Sequence, residues 1–165
     1  MDPYRFMSFL TRQVMRAWAD REQPAEQVAW TSLQKPLAEC RVALISSAGI
    51  ALRSDKPFDQ QGERENPWWG DPSWRELPAE TSEADVQIYH MHIDAAPAKE
   101  DLDVVFPTRR LRELVEAGIV GAVSPRHFSI MGYILDATEL VNKTAPELAS
   151  ALMECEVDLA LLVPV

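Results

Sequence analysis

The chain has 165 residues, of which 26 are acidic and 16 basic, for a formal charge of −10. That balance argues against a binder of nucleic acid or of an anionic membrane surface, because phosphate contacts need clustered Lys and Arg. An apolar fraction of 47% argues against wholesale disorder, and a chain of this length buries roughly 70% of its unfolded surface without a disulfide or metal staple.

The two cysteines, Cys40 and Cys155, lie far apart and outside any CxxC or CxxH spacing. They read as reduced thiols rather than a zinc site or disulfide framework. The start, Met1-Asp2-Pro3-Tyr4-Arg5, lacks the basic head and apolar core of a signal peptide. No run approaches the ~18 apolar residues that span a bilayer. The expectation is a soluble, cytoplasmic protein.

In chain order, residues 2–22 read as an amphipathic helix, with Phe6, Leu10, Val14 and Trp18 every four residues. Asp2 is its N-cap and Pro3 its first helical position. A second helix is expected over 24–34. Arg41 to Ser47 is a near-continuous apolar run ending at small residues and Gly49, as in a strand buried on both faces. Residues 53–83 hold Pro57, Pro67, Pro72 and Pro78, three tryptophans and many charges, and read as a long ordered loop. A second strand is expected over 84–93 and a short extended piece at 104–107. A helix follows over 108–117, closed by Gly118. Ile119 to Val123 reads as a strand, 128–134 as an extended or turn segment, 145–155 as a helix and 157–163 as the last strand.

Strands alternating with helices of about ten residues indicate an α/β domain. The expected architecture is a mainly parallel sheet flanked by helices, Rossmann-like and three-layered, with the Trp/Pro-rich loop as an excursion. One domain covers 1–165, with a helical segment over 1–35 and a core over 40–165. Ligands of such sheets bind beyond the carboxyl ends of the strands. Those ends are read here as Ser46–Gly49, His90–Asp94, Ser124–His127 and the chain terminus, so all three histidines fall at strand ends.

His90, His92 and Asp94 share a face if that segment is extended. Such a set can ligate zinc or iron. Equally, His90, His92 and His127 can serve as proton donors or orienting groups near neutral pH, or as structural residues. Ser46, Ser47, Ala48 and Gly49 form a small-residue turn whose amides can hold an anion, and Arg53 beyond it can clamp a carboxylate. A tight structural turn and a solvated arginine are the plain alternatives. The chain has no GxGxxG, Walker lysine, GxSxG or HExxH.

Several strings recur together: Ser46-Ser47-Ala48-Gly49-Ile50, Pro57-Phe58-Asp59, Gly70-Asp71-Pro72-Ser73-Trp74-Arg75 and His90-Met91-His92-Ile93-Asp94. They continue as Val104-Val105-Phe106-Pro107, Arg110 to Val115, Phe128-Ser129-Ile130-Met131-Gly132-Tyr133 and Val157 to Val165. Their order and spacing resemble the glycine/sarcosine/betaine reductase and D-proline reductase selenoprotein B family, from about residue 40 to the end. The resemblance implies a component of a reductive-cleavage oxidoreductase acting on a small amino acid or N-methyl derivative. It implies a selenocysteine or cysteine directly after Val165, so that the chain itself carries no cofactor and stops where an in-frame UGA is expected. Neither Cys40 nor Cys155 corresponds to that residue. It also implies thiol or selenol partner proteins in a reductase complex, and a homo-oligomer is compatible with it. On this reading His90, His92 and His127 orient or protonate the substrate, and the backbone near Ala48 and Gly49 holds a carboxylate. Two rival readings remain: a metal-dependent hydrolase or lyase using His90, His92 and Asp94, and a non-catalytic binding subunit.

Overall fold

The structure is a computed structural model that describes residues 31–66 and 68–165, together with Phe9 and Gln13. The helix expected over 2–22 lies outside the described residues except at Phe9 and Gln13, which are helical. Of the helix expected over 24–34, only 31–34 are described, and they are not helical. Contacts divide the chain at Ser32, and the unit described here is Leu33–Val165.

Strand β1, Arg41–Ser46, is the centre of this unit. Val42 to Ile45 are all buried, as a strand covered on both faces requires. Strands β5 (Ala122–Val123) and β6 (Arg126–Ile130) pair in turn with its first and second halves, both parallel. β7 (Leu159–Val163) pairs parallel along the other side, from Val42↔Leu159 to Ser46↔Val163. β3 (Trp74–Pro78) runs antiparallel beside β6, so the sheet is mixed and β3 lies at its edge. The α/β class stands; the sheet is not wholly parallel. A separate antiparallel pair joins β2 (Ile50–Leu52) to β4 (Val86–Ile88).

Side-chain alternation sends successive residues of β1 to different cores. Ile45 and Phe128 pack on Leu148 and Ala151 of a helix over Ala145–Glu154. Val42 and Leu44 pack on Leu102, Phe106 and Leu111 on the opposite face. Leu111 belongs to the helix Thr108–Glu116, whose apolar stripe also carries Val115. Here α1 denotes Gln60–Glu65, α2 Ala96–Glu100, α3 Thr108–Glu116 and α4 Ala145–Glu154.

Three expectations are corrected. The segment 53–83 is not a plain loop, because it contains α1 and β3. The strand expected over 84–93 is confined to Val86–Ile88, and His90 to Asp94 form a turn. Ser124 and Pro125 do follow the carboxyl end of β5 at Val123, but Arg126 and His127 already lie inside β6, which runs on to Ile130, so His127 is not at a strand end.

Candidate functional site

Beyond Ser46 the chain turns sharply, and Gly49 takes φ +62°, a conformation that suits glycine. The turn binds three segments together. The Ser47 amide donates to Val163 O at 3.1 Å, the Gly49 amide donates to Ile130 O at 2.9 Å, and Gly49 O accepts the Tyr89 amide at 2.8 Å. Ser46 is fully buried; its hydroxyl donates to Val105 O at 2.7 Å and accepts the Ala48 amide at 3.2 Å. The amides of Ser47, Ala48 and Gly49 are thus all engaged within the fold. Ser47 Oγ accepts the Val165 amide at 2.9 Å, which brings the end of β7 to the same turn.

Two histidines stand beside it. His90 is buried, and its Nδ1 accepts the His92 amide at 3.2 Å. The two rings lie 6.0 Å apart and perpendicular. Burial, and then the neighbouring His92, hold the His90 imidazole below its ordinary range. His90 is therefore neutral near pH 7, and with Nδ1 accepting, Nε2 carries the proton. Gly132 separates that ring from the turn: a Cβ there would lie 2.8 Å from His90 Nε2 and 2.8 Å from Ser47 O.

The His92 side chain is half exposed, and its Nε2 lies 2.6 Å from Glu63 Oε1. The Tyr133 ring covers it with centroids 4.2 Å apart. Burial, and then Glu63, push the Tyr133 phenol upward. Glu63 is only 3% exposed, and its Oε2 has no hydrogen-bond partner among the described residues. Helix α1 delivers it. Asp59 caps that helix through the Gly62 amide at 2.9 Å, and Asp71 Oδ2 accepts the Asp59 amide at 2.8 Å. Gln60 Nε2 donates to Tyr89 O at 2.7 Å, which fixes α1 beside His90.

Other candidate residues lie elsewhere. His127 is fully buried in the core, where its Nδ1 accepts the Leu44 amide at 3.0 Å and its ring meets Phe106 edge-on at 5.5 Å. Arg53 donates from Nε to Ala84 O at 2.9 Å. It follows Leu52↔Val86, the opposite end of the β2–β4 ladder from Gly49 and His90. Asp94 Oδ1 accepts the Ala96 amide at 2.9 Å ahead of α2, and the turn at 90–94 breaks the alternation that would align it with the histidines. The His90/His92/Asp94 ligand set is therefore not assembled. Among the described residues no group of three or more His, Cys, Asp or Glu is arranged for a metal ion.

The site thus unites Ser47, Gly49, His90 and His92 with Glu63, Gly132 and Tyr133. Sequence reasoning did not single out Glu63, because nothing in the 53–83 segment shows a helical apolar period. Its one readable sign is Asp59, a residue type that caps helices.

The family model for glycine/sarcosine/betaine reductase selenoprotein B matches residues 9–164. The chain belongs to that selenoprotein B family. It is similar to the D-proline reductase subunit gamma of Acetoanaerobium sticklandii, at 32% identity over 133 residues, 81% of this chain and 52% of the relative. The chain therefore spans about half the length of the curated relative it matches. No solved structure matches it. The selenoprotein B match covers every residue of the site above. Among the described residues, no helix is long and apolar enough to cross a membrane.

Proposed function

We propose that this chain is the substrate-handling part of a cytoplasmic reductive-cleavage enzyme for a small amino acid or N-methyl derivative, with its redox nucleophile following Val165. Thiol or selenol partner proteins of a reductase complex supply the electrons. One observation carries the reading: the end of β7, the Ser46–Gly49 turn and the two histidines converge. Val165 is bonded to Ser47 Oγ, and the Ser47 carbonyl and His90 Nε2 flank Gly132.

A selenocysteine or cysteine after Val165 would supply a low-pKa nucleophile and a bond that partner thiols can reduce. The residues present suit such a neighbour. His90, neutral and with Nδ1 occupied, offers an Nε2–H donor for a substrate carboxylate or amine-leaving group. His92 is the more open imidazole and can deliver a proton. The turn amides are engaged internally, so the imidazole N–H and the Ser47 side chain are the better carboxylate contacts.

The site is tested by imidazole NMR while the chain is titrated with glycine, sarcosine, betaine and D-proline. The expected result is that at least one ligand moves the His90 and His92 signals and leaves His127 in place. No movement with any of the four, or movement confined to His127, would overturn this assignment.

A further inference from the structure

His92 and Glu63 have a relationship that packing alone does not account for. Glu63 is nearly fully buried, yet only Oε1 is hydrogen-bonded among the described residues, and its partner is His92 Nε2 at 2.6 Å. A buried carboxylate normally fills both oxygens. Here its stabilisation falls on one imidazole, at a separation short enough for a charge-assisted bond. That imidazole is half exposed. Tyr133 lies against one face at 4.2 Å and limits its rotation. Among the described residues nothing bonds to Nδ1, the nitrogen remote from Glu63.

We propose that Glu63 is a positioning residue that fixes His92 with Nε2 protonated and so makes Nδ1 the site of proton exchange with the substrate's nitrogen. This inference rests on the reductase reading for its substrate class. In the step, the thiolate or selenolate forms a bond to the substrate carbon and the carbon–nitrogen bond breaks. The electron pair leaves on nitrogen, and His92, charged beforehand, gives its Nδ1 proton to that nitrogen. Glu63 Oε1 accepts from Nε2–H before and after the transfer, so the proton that moves is the one on Nδ1 and the Nε2–H tautomer is left behind. His92 returns to the charged form by taking a proton from water. The same carboxylate–imidazole logic orients histidines in unrelated hydrolases.

The first measurement is the pair of imidazole nitrogen-15 shifts of His92 in the wild-type chain, at a pH where the ring is neutral. Nε2 should show the protonated shift and Nδ1 the unprotonated one, and Glu63→Leu should give a mixture of tautomers. The second is turnover in the reconstituted enzyme with its partner proteins. Glu63→Gln should lower kcat by about 100-fold, in the range of lost acid–base catalysis, with KM within about twofold. In His92→Asn the same substitution should add little, because two residues acting as one unit are not additive. A wild-type His92 protonated chiefly on Nδ1, or effects of the two substitutions that multiply, overturns the dyad. The expected tautomer without turnover of any amino acid overturns the reductase reading instead. The wild-type shifts need no variant, so a Glu63→Gln protein that fails to fold leaves the test intact.

Discussion

At the scale of single residues, Gly132 and His127 make opposite kinds of demand. Gly132 is required because two groups crowd it, His90 Nε2 and Ser47 O, each 2.8 Å from where a Cβ would stand. Ser47 O is backbone and cannot swing aside, so Gly132→Ala must displace the imidazole or the turn. The expected cost is about 1–3 kcal/mol in urea unfolding, with a shifted His90 signal; an unchanged midpoint and spectrum would refute the crowding. His127 is a core residue whose Nε2 has no partner among the described residues. Burial, and then Arg112, push its imidazole down to about 4 from the ordinary 6.5. The folded chain thus binds fewer protons at this position than the unfolded chain between those values. Its contribution to stability is whole above pH 6.5 and is lost as pH falls toward 4. Between pH 7 and 5 this amounts to about 2 kcal/mol. Denaturation of His127→Phe should start less stable at pH 7, having lost the Leu44 acceptor, but fall less steeply by that amount. An identical slope in the variant would contradict the assignment.

At the scale of elements, helix α1 is held by its ends rather than by a core. It has six residues, and Glu63 is its one buried side chain. Its anchor is Asp71, which accepts the Asp59 amide at 2.8 Å and the Ser73 amide at 2.9 Å, besides the Ser73 hydroxyl. Burial raises the Asp71 carboxyl, but the Ser73 hydroxyl, those amides and Arg75 together outweigh it and the net shift is downward. Asp71→Ala should accelerate amide exchange in α1 by about tenfold, the equivalent of one lost buried bond, while β1 amides keep their rates. Equal acceleration in both would show general destabilisation instead. The elements that patterning reveals are those with a continuous or periodic apolar face: β1, α3, α4 and β7. Strand β3 was hidden because its polar residues are spent locally. Arg75 donates to Lys56 O at 2.8 Å and to Pro57 O at 3.1 Å, and its guanidinium lies 4.2 Å over Phe58. Pro78 ends the strand at a sheet edge, where a missing N–H is tolerated. The stretch around His90 is deceptive for the opposite reason: alternating residues that look like a strand are a turn, with the His92 amide folded back onto His90 Nδ1. The site was therefore legible at Ser47, Gly49, His90 and His92, and illegible at Glu63, which only tertiary contact brings in.

At the scale of the molecule, the mixed sheet gathers its chemistry at one place. The ends of β1, β6 and β7 meet at the Ser46–Gly49 turn, and α1 and the His90–Asp94 turn close around it. The chain belongs to the selenoprotein B family, and the proposed function assigns that convergence its chemistry. The most direct test is turnover by the chain extended beyond Val165 with selenocysteine or cysteine in the next position, supplied with a dithiol and its partner proteins. The account predicts thiol oxidation that depends on one of glycine, sarcosine, betaine or D-proline and that falls by about 100-fold in a His90→Ala, His92→Ala double variant. No substrate-dependent oxidation with any of the four, or full activity in the double variant, would contradict it.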